Sequence, residues 1–136
     1  MVQVAAALPL MAVAGCGQLG ADERPCTAMG ALSGVSVLLD TNPALRYRLC
    51  VGASCVTGEP GARDLMVRLP DSVGARSVTV RLTGGPGGAS AQSSPTVDER
   101  TQVTLKRYQP NGPQCPPTVY HVGLRYEPGE GLLPVG

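Results

Sequence analysis

The chain is 136 residues long, 43% hydrophobic and 15% charged, with a formal net charge of +1. Eleven Lys and Arg nearly balance ten Asp and Glu, so no overall field draws in nucleic acid. The length gives one domain with one core and excludes a large enzyme fold, a coiled coil and a transmembrane bundle.

At the start, residues 4–13 form an uncharged run rich in Ala, Leu and Val. The run is too short to cross a bilayer as a helix, which takes about 20 residues. It has the size of the apolar core of an export signal. It leads into Val13-Ala14-Gly15-Cys16: an apolar residue, two small residues and a cysteine. This stretch resembles a bacterial lipobox. The resemblance implies that the Cys16 thiol receives a diacylglycerol, that the signal is cut before it, and that Cys16 begins the mature chain. It covers this segment alone. Such signals open with Lys or Arg, and Met1-Val2-Gln3-Val4 has neither, so a start upstream of Met1 is expected. The expected organisation is a signal peptide over 1–15, a lipidated flexible tether over 16–25, and a domain over 26–136.

Beyond Cys16 stand four cysteines, an even number that suits an exported, oxidised domain. Four cysteines allow three pairings. Cys50 and Cys55 flank Val51-Gly52-Ala53-Ser54, which reads as a four-residue hairpin loop. Residues facing each other beside such a loop have the separation a disulfide needs. Cys26 then pairs with Cys115, tying the start of the domain to its last third. The competing arrangement, one zinc ion held by all four thiolates, lacks the close cysteine pairs of zinc ribbons.

Along the domain the apolar period is two. Alternating runs fall at 35–39, 45–50, 55–57, 65–69, 77–83, 102–106 and 120–126, with a short final run at 132–135. Between them lie Asn42-Pro43, Glu59-Pro60-Gly61, Asp71-Ser72-Val73-Gly74 and Asn111-Gly112-Pro113, all turn chemistry. No segment has the three- and four-residue spacing of an amphipathic helix. The expected fold is all-β, a single antiparallel β-sandwich of seven to eight short strands following a cleaved signal peptide. It is Ig-like in layering only, because an immunoglobulin domain packs a Trp on its inter-sheet disulfide and this chain has none. The stretch from Gly84 to about Pro95 reads as a loop.

Candidate chemistry is sparse. His121, the single histidine, alternates onto the polar face of its strand and has no nucleophile or acid at a diagnostic spacing. It reads as a solvated side chain. Gly84-Gly85-Pro86-Gly87-Gly88 lacks the Lys-Ser/Thr of a phosphate loop and reads as a loop tip. Asp22-Glu23 and Asp98-Glu99 are paired acids, placed in the tether and in a loop, without the aromatic cleft that a glycosidase needs. Met29 and Met66 are too far apart for a copper-handling cluster. No catalytic residue, cofactor or metal site is expected.

One distribution does point to binding. Arg46, Arg48, Arg68, Arg81, Lys106 and Arg125 take outward strand positions, whereas carboxylates fall in turns and at strand ends. Such a face attracts an anionic envelope polymer, lipid headgroups or another envelope protein. Equally, arginine stems cover sheet surface and basic side chains discourage edge pairing. The lipobox, the hairpin with Cys50 and Cys55, and Pro110-Asn111-Gly112-Pro113-Gln114-Cys115 together resemble small envelope lipoproteins of high-GC Gram-positive bacteria. Ten arginines against one lysine fit such a genome. The resemblance implies anchoring in the cell membrane, on its extracytoplasmic face, through lipidated Cys16, and no activity. The expected function is therefore a lipid-anchored, non-enzymatic binding or interaction module. The alternatives are an accessory subunit of an envelope transporter or sensor, and a cell-wall hydrolase.

Overall fold

The computed structural model describes Cys26 and residues 29–40, 42–86 and 96–136; the apolar leader, Cys16 and the stretch from 87 to 95 lie outside the described residues. Among the described residues nine strands follow in chain order: β1 (Gly34–Leu38), β2 (Leu45–Val51), β3 (Ser54–Thr57), β4 (Asp64–Arg68), β5 (Ser77–Pro86), β6 (Val97–Thr104), β7 (Lys106–Tyr108), β8 (Val119–Glu127) and β9 (Gly131–Pro134). A 3-10 turn at Asp71–Val73 joins β4 to β5. Among the described residues no helix is long and apolar enough to cross a membrane.

The strands form two packed sheets. The first runs β4-β1-β8, and β7 and β9 share the far edge of β8, along residues 119–121 and 124–127 respectively. The second runs β3-β2-β5-β6. The all-β sandwich expected from the period-two patterning is thus the fold. Its pairings are antiparallel except one, β1 with β8, which is parallel in the register Gly34↔His121 to Leu38↔Arg125. Parallel neighbours need a long connection, and here the whole second sheet lies between the two strands in sequence.

Alternation decides what is buried. Val35, Val37, Leu65, Val67 and Leu124 point from the first sheet onto Tyr47, Leu49, Val51, Val80 and Leu82 of the second. With no Phe or Trp, the core is built from branched aliphatics and two tyrosines, Tyr47 and Tyr126, whose ring centroids lie 5.9 Å apart and tilted. Ser33 is the one buried polar residue among those described. Its hydroxyl donates to Asp71 Oδ1 (2.7 Å) and accepts from the Tyr120 N–H (3.0 Å), fastening the start of β1 to β8 and to the 3-10 turn.

Four local readings need correction. The hairpin between β2 and β3 turns on two residues, Gly52 and Ala53, rather than four; Gly52 supplies φ 58°. β5 runs through Gly84-Gly85-Pro86 rather than ending at Thr83. Gly84 is a packing device there: a Cβ would stand 2.8 Å from the Tyr47 ring. β6 begins at Val97, so Asp98 and Glu99 are strand residues and not loop acids. β7 was absent from the expected strands because Lys106-Arg107-Tyr108 has no apolar alternation. β6 and β7 are one continuous path that changes sheets at Leu105, which is buried in the core while its N–H bonds Arg76 O (3.0 Å).

Both expected disulfides form, which removes the zinc arrangement. Cys50 and Cys55 are directly opposed across the hairpin, with Cα atoms 4.1 Å apart. Cys26 joins Cys115, Cα to Cα 5.5 Å, in the 109–118 loop between β7 and β8. Asn111 reinforces that attachment: its Oδ1 accepts from the Met29 N–H, and its Nδ2 donates to the carbonyls of Met29 and Pro116.

Candidate functional site

The six cations singled out in the sequence do not form one face. Strand alternation sends Arg46, Arg48 and Arg81 to the outer side of the second sheet, and Arg68, Lys106 and Arg125 to the outer side of the first. The division follows from the sandwich itself, which has two outer surfaces facing opposite ways.

On the second sheet the register adds a fourth arginine. Arg100 of β6 stands directly opposite Arg81 of β5. The rows across this face read Cys55–Cys50–Arg81–Arg100 and Thr57–Arg48–Thr83–Asp98, with Arg46 one step along β2 and Thr79 opposite Gln102. Neighbouring strands lie about 4.8 Å apart and alternate residues about 6.6–6.8 Å apart. Arg48, Arg81 and Arg100 are therefore spaced at the scale of successive charges on a polyanion. Besides Asp98, Gly85 and the Cys50–Cys55 pair, the remaining outward positions hold Thr, Ser and Gln, which can donate hydrogen bonds to oxygen acceptors.

Like charges placed opposite each other on a sheet repel, and one acid relieves the Arg81–Arg100 pair. Arg81 donates from Nε and Nη2 to the two oxygens of Asp98, both at 2.9 Å. That fork lifts the Arg81 pKa and holds the Asp98 carboxyl below its usual range, the hydrogen bond being the largest cause in each. Asp98 therefore contradicts the expectation of a strand face free of acid. Arg46 lies 3.7 Å from the exposed Glu59, a loose contact, and its buried Nε has no hydrogen-bond partner among the described residues. Arg48 and Arg100 make no ion pair among the described residues. The face keeps uncompensated positive charge at its centre.

Arg100 escaped the sequence reading for a physical reason. The inward positions of β6 include Glu99 and Thr101, so its first half shows no apolar alternation. An inward-pointing charge is a device of edge strands, and β6 is the edge of its sheet. The signal that could have found it is the match of Arg100-Gln102-Thr104 in spacing to the outward Ser77-Thr79-Arg81 of the preceding strand.

The other candidates resolve differently. His121 is on the outer side of the first sheet as alternation predicts, but it is half-buried rather than free in solvent. Its ring lies 4.9 Å from that of Tyr108. Tyr47 and Tyr126 have raised pKa values, chiefly through burial. The Tyr126 hydroxyl is further raised by Glu99 and then Asp40, and that of Tyr47 by Tyr126 and then Asp40. Both phenols stay protonated at neutral pH. Asp22-Glu23 lies outside the described residues, as does Cys16.

No protein-family profile, curated protein or solved structure matches the chain.

Proposed function

We propose that the chain is a lipid-anchored, extracytoplasmic binding module of a bacterial envelope, and that the outer face of β3-β2-β5-β6 takes an anionic wall polymer. The observation that carries the reading is the arginine grid: Arg48, Arg81 and Arg100 on three adjacent strands, with only Asp98 among them. An open sheet face bearing spaced cations and hydroxyls suits an extended polymer of phosphodiesters or carboxylates better than a small ligand, which is normally held in a concave site. The two disulfides support an oxidising compartment, and the lipobox-like Val13-Ala14-Gly15-Cys16 supports anchoring at the membrane. A diacylglycerol supplies the two acyl chains that stable anchoring takes.

The test is binding of the purified protein to long-chain polyphosphate and to polyglutamate, followed by fluorescence anisotropy over a salt series. The expected result is binding that weakens as salt rises. Replacing Arg48 and Arg100 together by Gln should lower affinity severalfold and flatten the salt dependence. Replacing Arg81 alone should matter less, because its guanidinium is already engaged by Asp98. Polyanion affinity unchanged in Arg48→Gln/Arg100→Gln, or absent in the native protein, overturns the proposal.

A further inference from the structure

The opposite surface of the sandwich differs in kind. Among the described residues five large apolar side chains are exposed: Met29, Leu32, Leu38, Tyr108 and Val135. Strand alternation places Leu38 and Tyr108 on the outer side of the first sheet; Val135 follows β9 with its N–H bonded to Gly123 O, and Leu32 lies two residues before β1. Gly123 fixes the assignment at the middle of the sheet, since a Cβ there would stand 3.8 Å from Val135 Cβ and 3.7 Å from Ser36 Oγ. The outer face of the second sheet has none of the five. The sandwich therefore has one polar, arginine-bearing side and one side where apolar residues are mixed with cations.

Charge on this apolar side is graded along the strands. The row Arg68–Gly34–His121–Lys106 puts a cation near each edge. One step beyond it, toward the start of β1 and the end of β7, stand Leu32 (46% exposed) and Tyr108 (43% exposed). The acids of this face, Asp64 and Glu127, lie toward the other end, where Glu127 also contacts Arg125 at 3.6 Å. Asp71 is near the cationic end, but its carboxylate is turned onto the Ser33 hydroxyl.

Leu38 lies at the acidic end, opposite Asp64, while the cationic end with Leu32 and Tyr108 is also where the chain enters the domain. Cys26 is bonded to Cys115 in the loop that joins β7 to β8, and Met29, the fifth exposed apolar residue, is held to the same loop by Asn111. Only residues 17–25 separate Cys26 from Cys16. Fully extended they reach roughly 30 Å, about one domain diameter.

From these three features we infer that the Leu32–Tyr108 end of the first sheet rests on the surface of the bilayer, with Arg68 and Lys106 against anionic headgroups. Apolar tips flanked by cations are the composition of an interfacial membrane contact. The inference rests on the anchored reading proposed above, and it deepens that reading by giving the domain an orientation. With this end on the membrane, the arginine grid on the other sheet is left facing away from the sheet surface that meets lipid.

The absence of Trp from the chain makes the test clean. Single tryptophans are introduced as Leu32→Trp, Tyr108→Trp and, on the outer face of the second sheet, Thr79→Trp. Each lipidated protein is reconstituted into vesicles of phosphatidylcholine with phosphatidylglycerol, with and without brominated acyl chains. The expected result is a blue-shifted emission quenched by bromolipid at positions 32 and 108, with position 79 unaffected. A chain carrying Cys16→Ser and produced without residues 1–15, so that neither the apolar leader nor an acyl chain remains, separates the face from the anchor. It should still partition onto the anionic vesicles, and Arg68→Gln and Lys106→Gln should each weaken that partitioning about fivefold, the equivalent of about 1 kcal/mol per cation.

Three results overturn the inference: quenching equal at all three positions, no partitioning of the Cys16→Ser chain, or a blue shift at 108 without lipid that grows with protein concentration. The last would mean that a second copy of the chain covers this face. Failure of the anchored reading shows elsewhere, as a mass at Cys16 without lipid, and failure of the polymer reading shows in the Arg48→Gln/Arg100→Gln titration.

Discussion

Gly84 illustrates how one atom decides a packing arrangement. Its backbone is ordinary strand, paired with both Tyr47 and Val97. What the position forbids is a side chain, because a Cβ would meet the Tyr47 ring at 2.8 Å and Val97 Cβ at 3.3 Å. Gly84→Ala should therefore destabilise the domain by about 1–3 kcal/mol, the usual cost of overpacking. Gly85→Ala, where nothing lies within 4 Å of the added carbon, should move the thermal midpoint much less. Tyr47 itself gives a prediction in pH. Burial raises its pKa and that of Tyr126 above 10.0. A group whose folded pKa is raised contributes its full stability below the unfolded value and loses it as pH climbs toward the folded one. The melting temperature should accordingly fall as pH rises above about 10, and Tyr47→Phe should flatten that alkaline limb. Asp98 works in the opposite sense. Its lowered pKa makes its contribution present above about pH 4 and lost as the solution is acidified through the lowered value.

Among the elements, the hairpin and the β7–β8 loop each carry one disulfide, and the two bridges close loops of very different size. Cys26 and Cys115 are 89 residues apart in sequence, Cys50 and Cys55 only 5. Chain entropy makes the long closure worth about 4–5 kcal/mol and the short one about 2. Urea denaturation of a Cys26→Ser/Cys115→Ser variant should show the larger loss, with Cys50→Ser/Cys55→Ser retaining most of the native midpoint. The short bridge lies beside the arginine grid, Cys50 being in register with Arg81. Its removal is expected to loosen the hairpin without breaking the β2–β5 ladder, which is held by backbone bonds along seven paired positions. Element boundaries also explain the change of sheet at Leu105. A strand that must leave one sheet for the other needs a buried anchor at the crossing, and Leu105 provides it with its side chain in the core and its N–H on Arg76.

For the whole molecule, the two outer faces would take separate tasks under the two proposals. The polar face offers cations and hydroxyls; the other offers apolar tips near the point where the chain enters the domain. Such a division is natural for a module that must hold to a membrane on one side and meet an envelope component on the other. The intact mass of the protein isolated from its source cells tests the framework on which both proposals stand. The expected species begins at a lipidated Cys16 and shows four alkylatable thiols only after reduction. A species with free thiols before reduction would remove the oxidised state seen between Cys50 and Cys55 and between Cys26 and Cys115.

Much of this was legible in the residues. Runs such as 77–83 and 120–126 alternate apolar and polar side chains so regularly that strand, face and burial follow together. The even count of cysteines and the turn residues between Cys50 and Cys55 led to the observed pairing. Where local pattern was silent, the reading stopped. Lys106-Arg107-Tyr108 pairs with β8 only because Leu105 carries the chain across, and β6 is a strand despite Glu99 and Thr101 at inward positions because β5 offers it a full ladder. The parallel pairing of β1 with β8 joins segments at opposite ends of the domain, and no residue in either announces the other. The six cations are the clearest case. Alternation along a strand determines that each points outward. Which way is outward depends on the sheet a strand joins, and hydrogen bonding between segments distant in sequence decides that.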